Sequence, residues 1–248
     1  MPENTLPAFE YAIRIGADVL ELDMAVTKDN VVVVSHDPLL EKPICSGPRD
    51  KVPIHELTYK ELLQWDCGAV KNPRFADQHP VPGTRMPTID QVFALSSRGS
   101  FDYNIETKIF ADKPQLAPDP DTFVKLVLEQ IRKHRLEKRV ILQSFDYRTL
   151  RAMKKIAPEI RLSALMENDD HRDFVAAARD AQAGIVSPNL ALVTPEKTAA
   201  AHKTGLQVVP WTANTPAEWE ALVKSKVDAI ISDDPENLIG WLKRAGLR

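Results

Sequence analysis

Val19-Leu-Glu-Leu-Asp-Met-Ala-Val26 is an apolar run broken by two acids at alternate positions. Successive side chains of a strand point to opposite faces, so Glu21 and Asp23 share one face while Leu20, Leu22 and Met24 share the other. The apolar face can pack against outer helices. The two carboxylates then point into a barrel, near its C-terminal mouth. Two inward carboxylates repel and lose hydration unless a cation or a basic group compensates them. A hard divalent ion with oxygen ligands is the natural compensation.

The pattern recurs in Phe101-Asp-Tyr-Asn-Ile-Glu-Thr-Lys108, where Asn104, Glu106 and Lys108 share a face and Tyr103, Ile105 and Thr107 face the helices. As the barrel neighbour of Val19–Val26, this strand sets Glu106 beside Glu21 and Asp23. Three carboxylates and one lysine then meet at one mouth. A buried ion-pair cluster without metal is the competing reading, and the excess of carboxylates over lysine argues for the cation. His36 ends the apolar run Val31-Val-Val-Val-Ser-His-Asp37, where a proton donor could reach a bound substrate. A structural histidine is the alternative there. His55, His79, His134, His171 and His202 lie in an insertion or on helices and read as surface residues.

Outward from these strands, short apolar runs alternate with amphipathic helices. The runs Arg139–Ser144, Arg161–Met166, Gly184–Ser187, Gln207–Thr212 and Ala229–Ser232 read as further buried strands, and Val31–Ser35 as a hairpin extension of Val19–Val26. Helix starts are marked by Thr88-Ile-Asp-Gln91, a capping box, and by proline at the first helical position in Thr194-Pro195 and Thr215-Pro216. Asp121 to His134 carries Phe123, Val127 and Ile131 on one helical stripe. This β-then-α order predicts a parallel sheet closed as a TIM (β/α)8-type barrel. The chain opens on a helix, with Leu6, Phe9 and Ile13 at helical spacing, so the barrel is expected to lack its first strand. Residues 38–87 hold eight of the 19 prolines and one short helix, from Thr58 to about Trp65. They read as a cap inserted after His36, within a single domain spanning 1–248.

The 248 residues suit one such domain, and a net charge of −3 gives no electrostatic pull toward nucleic acid or an anionic membrane. No apolar run is long enough to span a bilayer, and Met1-Pro2-Glu3-Asn4 is polar at once, unlike a secretory leader. Cys45 and Cys67 could pair in an oxidising compartment; two free thiols is the reading taken.

Pro2-Glu-Asn-Thr5, Gly16-Ala-Asp18, Glu21-x-Asp23, Thr27-Lys-Asp29 and His36-Asp37, in that order, resemble the glycerophosphodiester phosphodiesterases. So do Glu106-Thr-Lys108, Gln143-Ser-Phe145, Trp211-Thr-Ala-Asn214 and Ile231-Ser-Asp-Asp-Pro235. The resemblance covers nearly the whole chain. It implies a TIM barrel that hydrolyses glycerophosphodiesters, small molecules of phospholipid degradation, to glycerol 3-phosphate and an alcohol. Glu21, Asp23 and Glu106 would hold Mg²⁺ or Ca²⁺, and Lys108 would neutralise a phosphate oxygen. His36 would be one of two histidines exchanging protons, and Trp211 an apolar wall beside the substrate, with a core tryptophan as the alternative. Glu3, part of the motif, would lie near the substrate.

The family's strand ending in His-Arg-Gly does not precede Pro2-Glu3 here. A start placed too late is the expectation, with a signal peptide lost alongside it if the protein is periplasmic or secreted, and a cytoplasmic protein otherwise. As read, the chain is expected to be a feeble catalyst. Two alternatives follow: a catalytically silent phosphodiester-binding barrel, or a phospholipase D-like enzyme acting on lysophospholipids or sphingolipids.

Overall fold

A computed structural model describes residues 1–248. The chain forms two compact units, Met1–Val140 and Ile141–Arg248.

The first unit opens on α1 (Leu6–Ile15), which buries Phe9 and contacts the first strand. It ends at Gly16, whose φ of 86° is the left-handed geometry that lets its N–H reach Ile13 O and the next N–H reach Ala12 O. β1 (Val19–Val26) follows, with Leu20, Leu22 and Met24 buried as the apolar face requires. β2 (Val32–Val34) folds back antiparallel onto it, Met24 opposite Val34, as the hairpin reading expects.

The segment 38–87 carries its own small structure. β3 (Leu39–Leu40) pairs antiparallel with β4 (Val52–Pro53), and α2 (Tyr59–Leu62) begins on a complete capping box at Thr58. Leu40, Ile54, Leu57, Leu62, Trp65 and Met86 bury together against Ala25 and Val33 of the hairpin. Cys45 and Cys67 are bonded to each other, which corrects the expectation of two free thiols. The cause is tertiary. Ser46 and Asp66 exchange two backbone hydrogen bonds of 2.8 Å each, so their neighbours stand side by side. Replacing both cysteines by serine should cost about 3 kcal/mol, the loop-closure entropy for a bond of this span. Chemical denaturation with and without reductant checks this, and equal midpoints for the two proteins would refute it.

α3 (Ile89–Phe93) starts on the Thr88–Gln91 capping box. β5 (Asp102–Thr107) runs parallel to β1, and α4 (Pro120–Lys133) buries Phe123, Val127 and Ile131 along the predicted stripe. Phe93 and Phe101 both meet Tyr103 edge-on, at 5.0 and 5.3 Å between ring centroids. Two histidines read as surface residues are half-buried instead. His55 Nδ1 lies 2.9 Å from Val26 O, and His134 sits between Phe93 and the Asp90 carboxylate. Each is held by a group remote in sequence.

β6 (Val140–Ser144) begins at the last residue of the first unit, and from Ile141 onward it, β7 (Arg161–Met166), β8 (Ile185–Pro188) and β9 (Gln207–Val208) pair in parallel, each with its sequential neighbour. α5 (Tyr147–Ile156), α6 (Phe174–Ala181) and α7 (Pro195–His202) alternate with them. Met166, Phe174, Ala177, Val186, Ala201 and Val208 form the core between these strands and helices. α8 (Pro216–Lys224) and α9 (Pro235–Arg244) close the chain, packing Trp219 against Leu238.

The expected strand Ala229–Ser232 is not a strand, which is a correction. Ile231 does bond Pro210 and Ala213 through its backbone, but Pro210 has no N–H to extend a ladder, and β9 itself stops at Val208. The alternation of strand and helix, with parallel neighbours in both units, is α/β of the TIM-barrel class. No helix is long and apolar enough to cross a membrane.

Candidate functional site

The register of β1 against β5 sets Asp23 opposite Glu106 and Glu21 opposite Asn104. Because both strands keep the same pleat phase, all four side chains share one face. A carboxylate oxygen from each of Glu21, Asp23 and Glu106 lies within 4.8 Å of the others. Lys108 stands two residues beyond Glu106 on that face. Its Nζ is 3.1 Å from Asp23 Oδ1 and 2.9 Å from Glu106 Oε1.

Burial makes this charge balance expensive. Asp23 and Glu106 are 5% and 6% exposed and Lys108 8%, while Glu21 is half-buried. Desolvation, then the Asp23 carboxylate, pushes Glu106 well above the usual carboxylate range, against the pull of Lys108. For Lys108, burial works downward, but Asp23 and Glu106 outweigh it and hold the ammonium above its ordinary value. One ammonium therefore faces three carboxylates that crowd each other. Hard oxygen donors with excess negative charge fit a divalent cation better than they fit a closed ion pair.

His36 follows β2, and the N–H of Ser35 donates to Asp23 O at 3.0 Å, which holds the main chain beside β1, with the imidazole near enough to feel the Asp23 and Lys108 charges. His36 Nδ1 lies 3.2 Å from Asp37 Oδ1. That hydrogen bond raises the imidazole pKa, with the Asp23 carboxylate adding to it against burial and Lys108. The same bond, aided by Lys108 and Arg74, holds Asp37 below its ordinary value. With Nδ1–H donated to Asp37, Nε2 is the atom open to a substrate proton.

A raised histidine contributes stability below its unfolded pKa and loses it as pH rises through the folded one. A depressed aspartate contributes above its unfolded pKa and loses it as pH falls through the folded one. The pair is therefore strongest between the two. Asp37→Asn should move the histidine limb of a kcat–pH profile to lower pH; an unmoved limb would mean another group sets it.

The geometry thus brings together Glu21, Asp23, Glu106, Lys108 and His36. Glu3 is half-buried and lines a small cavity with Ile44, Val70, Asn72 and Gln78 of the 38–87 segment, outside the three-carboxylate group. Trp211 belongs to the second unit. It is half-buried, its Nε1–H donates to Ser187 O at 2.9 Å, and its ring meets Phe145 edge-on at 5.5 Å. Two residues of the site were not singled out from the sequence. Asp37 was legible only as the neighbour of His36, and Asn4, which bonds Asp23 through its side chain, only as part of the Pro2–Thr5 motif.

A glycerophosphodiester phosphodiesterase of Caldanaerobacter subterraneus subsp. tengcongensis is 32% identical to this chain over 246 residues, covering 99% of this chain and 94% of its own. A crystal structure named as a glycerophosphoryl diester phosphodiesterase of Silicibacter pomeroyi superposes with a TM-score of 0.91 at 28% identity, over 100% of this chain and 90% of that one. An Oleispira antarctica phosphodiesterase, solved with its product sn-glycerol-3-phosphate, shares the fold at a TM-score of 0.84 and 20% identity, over 98% and 92% of the two chains. Residues 1–237 match the family model, and the chain belongs to the glycerophosphoryl diester phosphodiesterase family.

Proposed function

We propose that this chain hydrolyses glycerophosphodiesters, released in phospholipid degradation, to glycerol 3-phosphate and an alcohol, with a divalent cation held by Glu21, Asp23 and Glu106. The observation that carries the cation is the convergence of three carboxylates within 4.8 Å beside a single lysine. The oxygen-only donor set suits Mg²⁺ or Ca²⁺. When bound, such an ion draws charge from a nonbridging phosphoryl oxygen and orients the glycerol moiety.

The chain's own residues do the remainder. Lys108, fixed by two carboxylates and held protonated, places a permanent positive charge where a phosphoryl oxygen gains negative charge. His36 exchanges a proton at Nε2 with the attacking or leaving oxygen, while Asp37 holds its ring and stabilises the charged form. Glu3 serves the substrate from the wall shared with the 38–87 segment.

Phosphorus NMR of the protein with a glycerophosphodiester tests this, in chelator and with Mg²⁺ or Ca²⁺ added. Glycerol 3-phosphate should form only with cation. Cyclic phosphate from a lysophospholipid as the sole product would favour the phospholipase D-like reaction. Ligand-induced stabilisation without product would favour a silent binding protein. Full turnover in chelator would remove the cation from the mechanism.

The buried Cys45–Cys67 bond supports work in an oxidising compartment, periplasmic or extracellular. Thiol titration of protein isolated without reductant should find no free thiol, and two would argue for the cytoplasm.

A further inference from the structure

We propose that Asn4 is a positioning residue for the cation site, clamping the Asp23 carboxylate through a two-point amide contact; this rests on the cation reading above. Asn4 Nδ2 donates to Asp23 Oδ2 at 2.9 Å, and Asn4 Oδ1 accepts the Asp23 backbone N–H at 3.2 Å. One amide therefore grips the side chain and the main chain of the same residue, which leaves the carboxylate plane little freedom to rotate. With Oδ2 taken by Asn4, Oδ1 is the oxygen turned to Lys108 and the acidic face.

The donor is also chemically selective. A carboxamide orients Asp23 without adding or removing charge in a cluster that already holds three carboxylates. A lysine or arginine in its place would compete with a cation, and an aspartate would repel Asp23. The backbone is arranged to deliver the amide. Asn4 has a φ of 54°, the left-handed region that asparagine tolerates better than most side chains. The turn is closed by the Thr5 hydroxyl donating to Pro2 O at 2.6 Å, immediately before α1. Hydrogen-bonded partners of metal-ligating carboxylates commonly set ligand orientation, and their loss costs about 10–100-fold in metal affinity.

The test is calorimetric titration of Mg²⁺ into chelator-stripped full-length protein, comparing wild type with Asn4→Gly and Asn4→Ala. Glycine keeps the left-handed backbone and removes only the amide; alanine removes the amide and strains the backbone as well. Both should weaken Mg²⁺ binding by about tenfold or more, with the Mg²⁺ needed for half-maximal turnover rising in step. Cation-free Asn4→Gly should still melt cooperatively near the wild-type temperature. Wild-type affinity in Asn4→Gly, or a loss confined to Asn4→Ala, would overturn the proposal, because the side chain would then carry no positioning role. If Asn4→Ala melts without cooperativity, Asn4→Gly alone gives the answer; if Asn4→Gly does, wild-type affinity in a folded Asn4→Ala would overturn the proposal. No Mg²⁺ or Ca²⁺ binding by wild type would overturn the cation reading itself, and this inference with it.

Discussion

Replacing His36 by alanine should lower kcat about 10²–10⁴-fold while leaving the protein folded, the loss expected when a positioned proton-transfer group is removed. The two halves of that expectation come from different observations. The Ser35 N–H to Asp23 O bond holds the main chain beside β1, the Asp23 and Lys108 charges act on the ring, and Asp37 keeps it more readily protonated than a free histidine. Yet its side chain is 48% exposed, and its ion pair with Asp37 is with a partner 39% exposed, so little stability depends on it. Exposed substitutions of this kind usually stay within about 0.5 kcal/mol. Steady-state kinetics with thermal melting checks both halves. A variant with near-normal kcat would show that His36 does not move the proton, and one with a collapsed melt would show that its role is structural.

Lys108→Met should have the largest effect on stability. Methionine matches the volume of the lysine stem but leaves Asp23 and Glu106 buried without their ammonium. Removing one member of a buried, hydrogen-bonded charge network costs about 3–5 kcal/mol. For a protein of this size that is a fall in melting temperature of roughly 10 °C. The loss should depend on pH and on cation. A carboxyl whose folded pKa is raised, as that of Glu106 is, costs stability above its unfolded value and is relieved as pH falls. The cation-free variant should therefore lose more at pH 8 than at pH 5. Mg²⁺ should return part of the loss, because it replaces the missing positive charge. Melts in chelator that match wild type at both pH values would show that the carboxylates do not need Lys108, and the charge argument for a cation would weaken with it.

How much of the site could be read without coordinates depends on the range of each interaction. Glu21 and Asp23 on one face, and Asn104, Glu106 and Lys108 on another, follow from the two-residue period of a strand. That period holds wherever the strand is placed. The capping box at Thr88 and the proline starts at Pro195 and Pro216 depend on contacts a few residues apart and likewise stand in the structure. The strand-then-helix order carried the fold class for the same reason, since each element is set by its own hydrophobic pattern.

The failures all involve partners distant along the chain. The run 229–232 has strand-like composition, but a strand exists only where a neighbour offers its N–H groups, and Pro210 offers none. Cys45 and Cys67 have no telling spacing, and the Ser46–Asp66 backbone pair brings them together. Asn4 looked like one letter of a motif until folding set its amide against Asp23.

The sequence by itself thus determined the alternation of strand and helix, the two acidic faces and the chemistry available to them, because short-range periodicity decides those. Only the tertiary structure decided that Asp23 stands opposite Glu106, that Lys108 reaches both, and that Asn4 and Asp37 hydrogen-bond Asp23 and His36. Register and clamping arise from hydrogen bonds between segments far apart in the chain, and no local pattern encodes which segments will meet.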